Sequence, residues 1–245
     1  MSGKKREINI RLYRRCRMRM DAKYLVNYDT DFTIVEAYKT ARLNMMFTKA
    51  TGDRKAFVFT SCLSSEGKTT TCANMGVVFA RIHRTLIIDA DMRKSSIHKL
   101  MNTSNDKGLS TVLGRIDNLE DAIVSSGIPN LDILPAGPLP PNPNELLASD
   151  YLREIINNLE EKYDYIMIDS PPINVVSDAF HLNKNTAGII FVVAEGITSH
   201  HEIKRAIKNI TLSNGKVLGF IKVCCEPARN SYSYQSYSYK NTPSI

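Results

Sequence analysis

The sequence predicts an α/β domain whose mostly parallel central sheet is flanked by helices on both faces. Short apolar runs alternate with segments that carry apolar residues at helical spacing, a pattern that favours parallel pairing through right-handed crossovers. The 245 residues suffice for one such domain with short extensions. The sequence contains no apolar run of about 18 residues and no apolar signal core, so we expect a cytoplasmic protein.

Residues 56–70, AFVFTSCLSSEGKTT, have the layout of a phosphate-binding loop. Residues 56–60 fit a buried strand, and helical spacing begins at Thr70. The loop between them therefore lies at a helix N-terminus, where free backbone N–H groups and the helix dipole favour a polyphosphate. Lys68 is predicted to reach the β- and γ-phosphates, and the Thr69 hydroxyl to bind Mg²⁺. The match is incomplete, because Cys62 stands where the pattern has its first glycine.

Two further predicted strands end in carboxylates. The run RTLIIDADMR delivers Asp89 and Asp91, and the run YIMIDSPP ends in Asp169. Since ligands bind at the carboxyl ends of parallel strands, we expect these acids to converge with Lys68 and Thr69 on one magnesium nucleotide. Asp89 and Asp169 are predicted to hold the metal, directly or through water. This convergence predicts a P-loop NTPase.

The remaining elements follow the same alternation. A helix over residues 32–47 precedes the loop, and the later segments contain further strands and helices. These are short helices within 96–126, a strand at 131–134, helices from 146 and over 149–162, strands at 187–194 and 216–223, and a helix over 199–213.

Both ends of the chain differ from the predicted domain at 31–226. Residues 1–30 form a basic arm with eight Lys and Arg side chains in its first twenty residues, and the whole chain has a net charge of +7. Such an arm suits nucleic acid or an anionic membrane surface, or is simply a solvated tail. Residues 227–245 carry too few aliphatic side chains to fold, so they are predicted to be disordered. This tail contains Tyr232, Tyr234, Tyr237 and Tyr239.

The sequence resembles the bacterial tyrosine kinases of exopolysaccharide and capsule synthesis, which are relatives of the MinD and ParA ATPases. The resemblance runs from about Glu36 to the C-terminus. It rests on the segments EAYKTAR, SEGKTT, LIIDADMRK, NPNELL and YIMIDSPP, and on the tyrosine-rich tail.

The resemblance implies an enzyme that uses ATP and Mg²⁺ to phosphorylate its own tail tyrosines, in trans within an oligomer. A carboxylate should accept the phenol proton, and either Asp91 or Asp89 is the candidate base beside Lys68 and Asp169. The implied nucleotide-binding residues are Ser64, Ser65, Glu66, Gly67, Lys68, Thr69, Thr70 and Arg93. The loop differs from the usual sequence of the family at Ser64 and Ser65.

The resemblance also implies partners. A ring-shaped homo-oligomer is expected while the tail is unphosphorylated, with Glu36, Lys39 and Arg42 as its contacts. Lys39 stands where the family commonly has Arg, and lysine cannot make arginine's bidentate contact. Polar residues at this spacing also fit an ordinary solvent-exposed helix face.

A transmembrane polysaccharide co-polymerase acting as activator and a cognate tyrosine phosphatase are implied as well. The activator would place the chain at the inner face of the membrane, and residues 1–30 are then either activator-derived or membrane-proximal. No nucleic-acid partner is expected. Two alternatives stay open: a MinD- or ParA-like ATPase without kinase activity, and an ATP-binding scaffold of a polysaccharide export complex.

Overall fold

The computed structural model describes residues 24–27, 29–49 and 54–224. Strands and helices alternate along this part of the chain, as predicted. The strands are β1 (Ala56–Ser61), β2 (Thr85–Asp89), β3 (Val124–Ser125), β4 (Leu131–Leu134), β5 (Tyr165–Asp169), β6 (Gly188–Ala194) and β7 (Val217–Val223). The helices are α1 (Phe32–Lys49), α2 (Lys68–Ala80), α3 (Ile97–Met101), α4 (Leu109–Leu113), α5 (Leu119–Ala122), α6 (Pro143–Ala148), α7 (Asp150–Lys162), α8 (Asp178–Asn183) and α9 (His200–Leu212).

The strands form one sheet in the order β3-β4-β2-β5-β1-β6-β7. Every neighbouring pair is parallel except β3 and β4, which are antiparallel. The predicted, mostly parallel α/β fold is confirmed. The assignment of 96–126 to short helices alone is wrong at β3, because a two-residue strand is too short to leave a pattern with period 2 in the sequence.

Helices cover both faces of the sheet, and each face has its own hydrophobic core. Alternate residues of a strand point to opposite faces, so Phe57 and Phe59 join the core beneath α1, α2 and α3, whereas Val58 joins the core beneath α4, α7, α8 and α9. A parallel sheet buried on both faces leaves its carboxyl edge as the open place where polar side chains can collect.

The chain packs onto α2 before α1 begins. Asn74 of α2 is buried; its Oδ1 accepts the N–H of Val26 at 2.7 Å, and its Nδ2 donates to the carbonyl of Tyr24 at 2.9 Å. The same Nδ2 donates to the hydroxyl of Tyr38 at 3.2 Å, and burial raises the pKa of that phenol. These hydrogen bonds fix the position of residues 24–26 relative to α2, the helix that follows the predicted phosphate loop.

The tail tyrosines Tyr232, Tyr234, Tyr237 and Tyr239 lie outside the described residues, as do residues 1–23 of the basic arm. Of the helices that the structure describes, none combines the length and apolar character needed to cross a bilayer.

Candidate active site at the carboxyl edge of the sheet

Residues 62–67 connect β1 to α2. Gly67 adopts a left-handed conformation with φ 84°, which glycine tolerates without steric cost, and Ser65 does so as well with φ 66°. Within the described part of the chain, the backbone N–H groups of Gly67, Lys68 and Thr69 donate no hydrogen bond, and the first N–H of α2 that does so is that of Thr71, to Gly67 at 2.9 Å. Free donors at the start of a helix, together with its dipole, make a site for an anion.

Lys68 lies at the centre of a buried cluster of charges. Its Nζ is 3.0 Å from Oδ2 of Asp91 and 3.3 Å from Oδ2 of Asp169. The Thr69 hydroxyl donates to the same Asp169 oxygen at 2.7 Å, and the Lys68 Nζ lies 3.1 Å from the Thr69 Oγ1. Burial alone would lower the pKa of Lys68, but the carboxylates of Asp169 and Asp91 outweigh it and raise that pKa. The ammonium group is therefore held charged at the end of β5.

Asp89 is positioned differently from the other two acids. Its Oδ2 accepts the N–H groups of Ser96 and Ile97 at 2.9 and 3.1 Å, and its Oδ1 accepts the N–H of Asp91 at 3.1 Å. Asp89 pairs with Asp169 across β2 and β5. Burial, and next the charge of Asp169, raise the pKa of Asp89 to about 7. The carboxylate of Asp89 thus holds the turn that carries Asp91 to Lys68.

Burial also raises the pKa of Asp169, although the Lys68 charge and the Thr69 hydroxyl act in the opposite direction. Both Asp89 and Asp169 are fully buried, while Asp91 is 4% exposed. The structure therefore brings together Lys68, Thr69, Asp169 and Asp91 through direct contacts, and joins Asp89 to them through the backbone.

The other residues assigned to nucleotide binding are more spread out. Ser64 and Ser65 are exposed on the loop, and Thr70 is buried in the first turn of α2. Arg93 pairs with an acid instead of joining the Lys68 cluster: its Nε lies 3.4 Å from Oδ2 of Asp178, with the Arg93 side chain 44% exposed. Asp178 belongs to α8, a helix too short for its periodicity to be recognised in the sequence.

Glu66 is fully buried, and both of its carboxylate oxygens are engaged inside the protein. Oε2 accepts the N–H of Leu63 at 2.9 Å, and Oε1 accepts the hydroxyl of Thr198 at 2.5 Å. Sequence reasoning missed Thr198. The available signal was its place just after the predicted strand at 187–194, on the edge where the ligand is expected.

The residues predicted to join neighbouring molecules lie on α1. Glu36 and Lys39 pair with each other at 2.6 Å on the surface of the helix. Arg42 instead donates to the carbonyl of Val78 in α2 at 2.8 Å, and burial lowers the pKa of its guanidinium. An intermolecular role for the three residues stays a prediction.

The residues of the site fit a magnesium nucleotide. Free N–H groups and Lys68 suit the phosphates, and the oxygens of Thr69, Asp89 and Asp169 are of the kind that Mg²⁺ prefers. Among the described residues, no group of three or more His, Cys, Asp or Glu side chains is arranged to hold a metal. Mg²⁺ commonly completes its coordination with substrate phosphates and water.

The sheet, the loop before α2 and the acid-tipped strands define a P-loop ATPase. The family model described as an AAA domain matches residues 65–217, more than half of the chain. The chain is 37% identical to a putative tyrosine-protein kinase, CapB of Staphylococcus aureus, over 84% of this chain and 90% of the relative. It is also 37% identical to the tyrosine-protein kinase YwqD of Bacillus subtilis, over 76% of this chain and 79% of the relative.

Solved structures agree with these matches. The chimerical protein CapA2B2 superposes with a TM-score of 0.80 at 31% identity, covering 88% of this chain and 92% of that one. MinD from Pyrococcus horikoshii, complexed with Mg-ADP, has a TM-score of 0.58 at 26% identity, covering 69% of each chain. The chain therefore belongs to the bacterial tyrosine-protein kinase family and is an enzyme of that class.

Proposed function

We propose that this kinase transfers the γ-phosphoryl group of magnesium-bound ATP to the clustered tyrosines of its own C-terminal tail. The observation that carries the proposal is the contact of Lys68 with Asp91 and Asp169 directly beside the loop of free N–H groups. Phosphoryl transfer requires positioning and neutralisation of charge more than covalent help from the protein.

The residues divide this work between them. Lys68 and the N–H groups that begin α2 would hold the phosphates, and Thr69 and Asp169 would hold Mg²⁺ with Asp89 close by. When bound, the ion neutralises charge on the phosphates. Exposed Ser64 and Ser65 on the loop, with Thr70 and Arg93, are expected to complete the surroundings of the nucleotide.

Asp91 is the base that we propose for the tyrosine hydroxyl, whose pKa in solution is about 10. It reaches Lys68 with one oxygen and accepts the N–H of Lys94 with the other at 3.1 Å. Asp89 is the weaker candidate because three backbone N–H groups already occupy its oxygens.

The tail is the proposed substrate because Tyr232, Tyr234, Tyr237 and Tyr239 are tethered to the enzyme. Tethering gives them an effective concentration on the order of millimolar at the site of a neighbouring copy. Each phosphate adds roughly −1.5 to −2 charges, so a fully modified tail would be repelled by a pocket lined with carboxylates. We infer that docking assembles a ring through α1, and that phosphorylation releases it.

The wider setting follows from the relatives. A transmembrane activator would hold the kinase at the inner face of the membrane, and a tyrosine phosphatase would reset the tail. The proposed role of this cycle is to control capsule or exopolysaccharide synthesis. The similarity of this chain to CapA2B2, a chimerical protein, is compatible with such an activator.

Autophosphorylation of wild type and of Lys68→Met with ATP and Mg²⁺ tests the proposal. Lys68→Met should reduce tail phosphotyrosine by more than about 100-fold, because a lost contact with the transferred group costs at least about 2.7 kcal/mol of barrier. Lys208→Met, an exposed site on α9, is the matched control and should keep wild-type activity.

Mass spectrometry of the same samples separates the alternatives. Phosphate on the tail tyrosines supports the proposal. Free phosphate from the wild type without any modified tyrosine would contradict it and favour an ATPase of the MinD kind.

A further inference from the structure

The phosphate-binding loop is joined by hydrogen bonds to the end of β6. The Ala194 N–H donates to Thr198 Oγ1 at 2.9 Å, and the Thr198 hydroxyl donates to Oε1 of Glu66 at 2.5 Å. The other Glu66 oxygen accepts the N–H of Leu63 at 2.9 Å. We name Leu63, Glu66, Thr198 and Ala194 the loop clamp. It runs from the first half of the loop, through a buried carboxylate, to the connection between β6 and α9.

This loop needs support that a glycine-rich loop does not. Its residues at 62–66 are all non-glycine, and Ser65 has φ 66°, a conformation that costs a non-glycine residue free energy. Such a shape persists only when the surroundings determine it. Glu66 provides a fixed point, because a buried carboxylate must keep its hydrogen bonds or carry a large desolvation cost.

The loop clamp also accounts for the presence of an acidic residue, Glu66, in a loop that is proposed to bind an anion. Both Glu66 oxygens accept hydrogen bonds from Leu63 and Thr198, and neither accepts one from Lys68 or from the N–H groups that begin α2. Its action on a phosphate would be indirect, through the shape of residues 62–67.

We propose that Glu66 and Thr198 are positioning residues, which hold the phosphate loop in its binding shape by tying it to the end of β6. The inference rests on the proposed binding of a magnesium nucleotide by this loop. It assigns to Glu66 a role through the backbone in place of a contact with nucleotide, and it adds Thr198, which lies 132 residues away in the sequence.

The test uses Thr198→Val, which keeps the shape of the side chain and removes the hydroxyl. We expect the full-length variant to bind Mg-ADP about 10-fold more weakly by calorimetry, because the loop loses a hydrogen bond to a charged group. Thr198→Ser restores the hydroxyl and should bind within about twofold of wild type. Unchanged affinity in Thr198→Val, or no rescue by serine, overturns the proposal.

A matched control separates positioning from general loss of stability. Thr85 is also fully buried and donates through its hydroxyl to a backbone carbonyl, at 3.1 Å, but it lies at the opposite end of β2 from Asp89. Thr85→Val should lower the melting temperature and leave the Kd for Mg-ADP unchanged. An equal loss of affinity in Thr85→Val would mean that any destabilisation suffices, and would overturn the role of the clamp.

Two further readouts complete the test. Adding Glu66→Gln to Thr198→Val should cost no more affinity than the larger single change, because the two side chains act as one unit; additive losses contradict this.

In nucleotide-free protein, the Leu63 amide should exchange its hydrogen faster in Thr198→Val than in wild type, and equal rates would overturn the clamp. Wild type that binds Mg-ADP but forms no phosphotyrosine would contradict the proposed function and leave the clamp standing.

Discussion

Asp89 shows how the surroundings of a single side chain set its chemistry. Three carboxylates meet near Lys68, but only Asp89 has both oxygens occupied by backbone N–H groups. Burial and the charge of Asp169 nevertheless raise its pKa to about 7. Near neutral pH, gain or loss of the Asp89 proton therefore changes the net charge of the site.

Asp89 should make stability depend on pH. The folded protein keeps this proton up to about pH 7, whereas an unfolded chain releases it near pH 4. The contribution to stability is thus complete at about pH 4 and is lost as pH rises through about 7. In metal-free and nucleotide-free protein, this contribution to the melting temperature should therefore fall from about pH 4 to about pH 7 and level off above that, and Asp89→Asn should reduce that fall.

The comparison is made on melting curves recorded across this range. Asp150→Asn removes an exposed carboxylate at the start of α7 and should keep the wild-type profile. A profile of Asp89→Asn that parallels the wild type would contradict the assignment of the fall to Asp89.

At the scale of elements, α4 is set against the loop that follows β4 by a close approach of backbones. The Leu109 and Ser110 N–H groups donate to Pro135 and Ala136 at 2.7 and 2.9 Å. A Cβ added at Gly108 would lie 2.3 Å from the Pro135 oxygen and 2.3 Å from the Gly137 nitrogen. Only a glycine allows this approach, and backbone atoms cannot rotate away as a side chain can.

Gly108→Ala should therefore lower the free energy of unfolding by about 1–3 kcal/mol, the usual cost of overpacking. Gly114→Ala, at the other end of α4, is the control. There φ is −74° and the nearest atom to the added Cβ is 3.2 Å away, so a change of only about 0.5 kcal/mol is expected. Urea unfolding measures both, and equal losses would show that the contact is not the cause.

The same scale separates what the sequence can predict from what it cannot. The buried strands β1, β2, β5 and β6 were predictable because a parallel strand covered on both faces is a continuous apolar run. The helix of six residues at α8 and the two-residue strand β3 were not, since neither is long enough to complete a periodic pattern.

The site follows the same division. The convergence of Lys68 with Asp91 and Asp169 was predictable, because strand ends of a parallel sheet share one edge. The partners of Glu66 and Arg93 were not predictable. These partners are Thr198 for Glu66 and Asp178 for Arg93. Side chains so far apart in the sequence meet because of loop geometry, which no local sequence pattern encodes.

At the scale of the whole molecule, the proposed substrate and the proposed catalytic cluster belong to one chain. If copies phosphorylate one another, a chain ending at residue 226 can act as the enzyme, and full-length Lys68→Met can act as the substrate. Neither alone should form phosphotyrosine, whereas a mixture with ATP and Mg²⁺ should place it on the tail of the Lys68→Met protein.

Immunoblotting and mass spectrometry read this out, with wild type as the positive control. A mixture without phosphotyrosine, beside an active wild type, would mean that each chain modifies its own tail. Adding Lys39→Ala to both partners then tests α1: if its surface brings copies together, phosphorylation in the mixture should fall while nucleotide affinity stays the same.

The arrangement around Lys68 has a consequence for which form of nucleotide can enter. One buried ammonium lies beside three buried carboxyl groups, so a highly negative nucleotide without a counter-ion would be repelled before it reached the amides at the start of α2. To contact a phosphate, Lys68 must also give up its contacts with Asp91 and Asp169. If the site binds ATP as proposed, we therefore expect the nucleotide to enter together with its Mg²⁺, which would neutralise its charge before the reaction as well as during it.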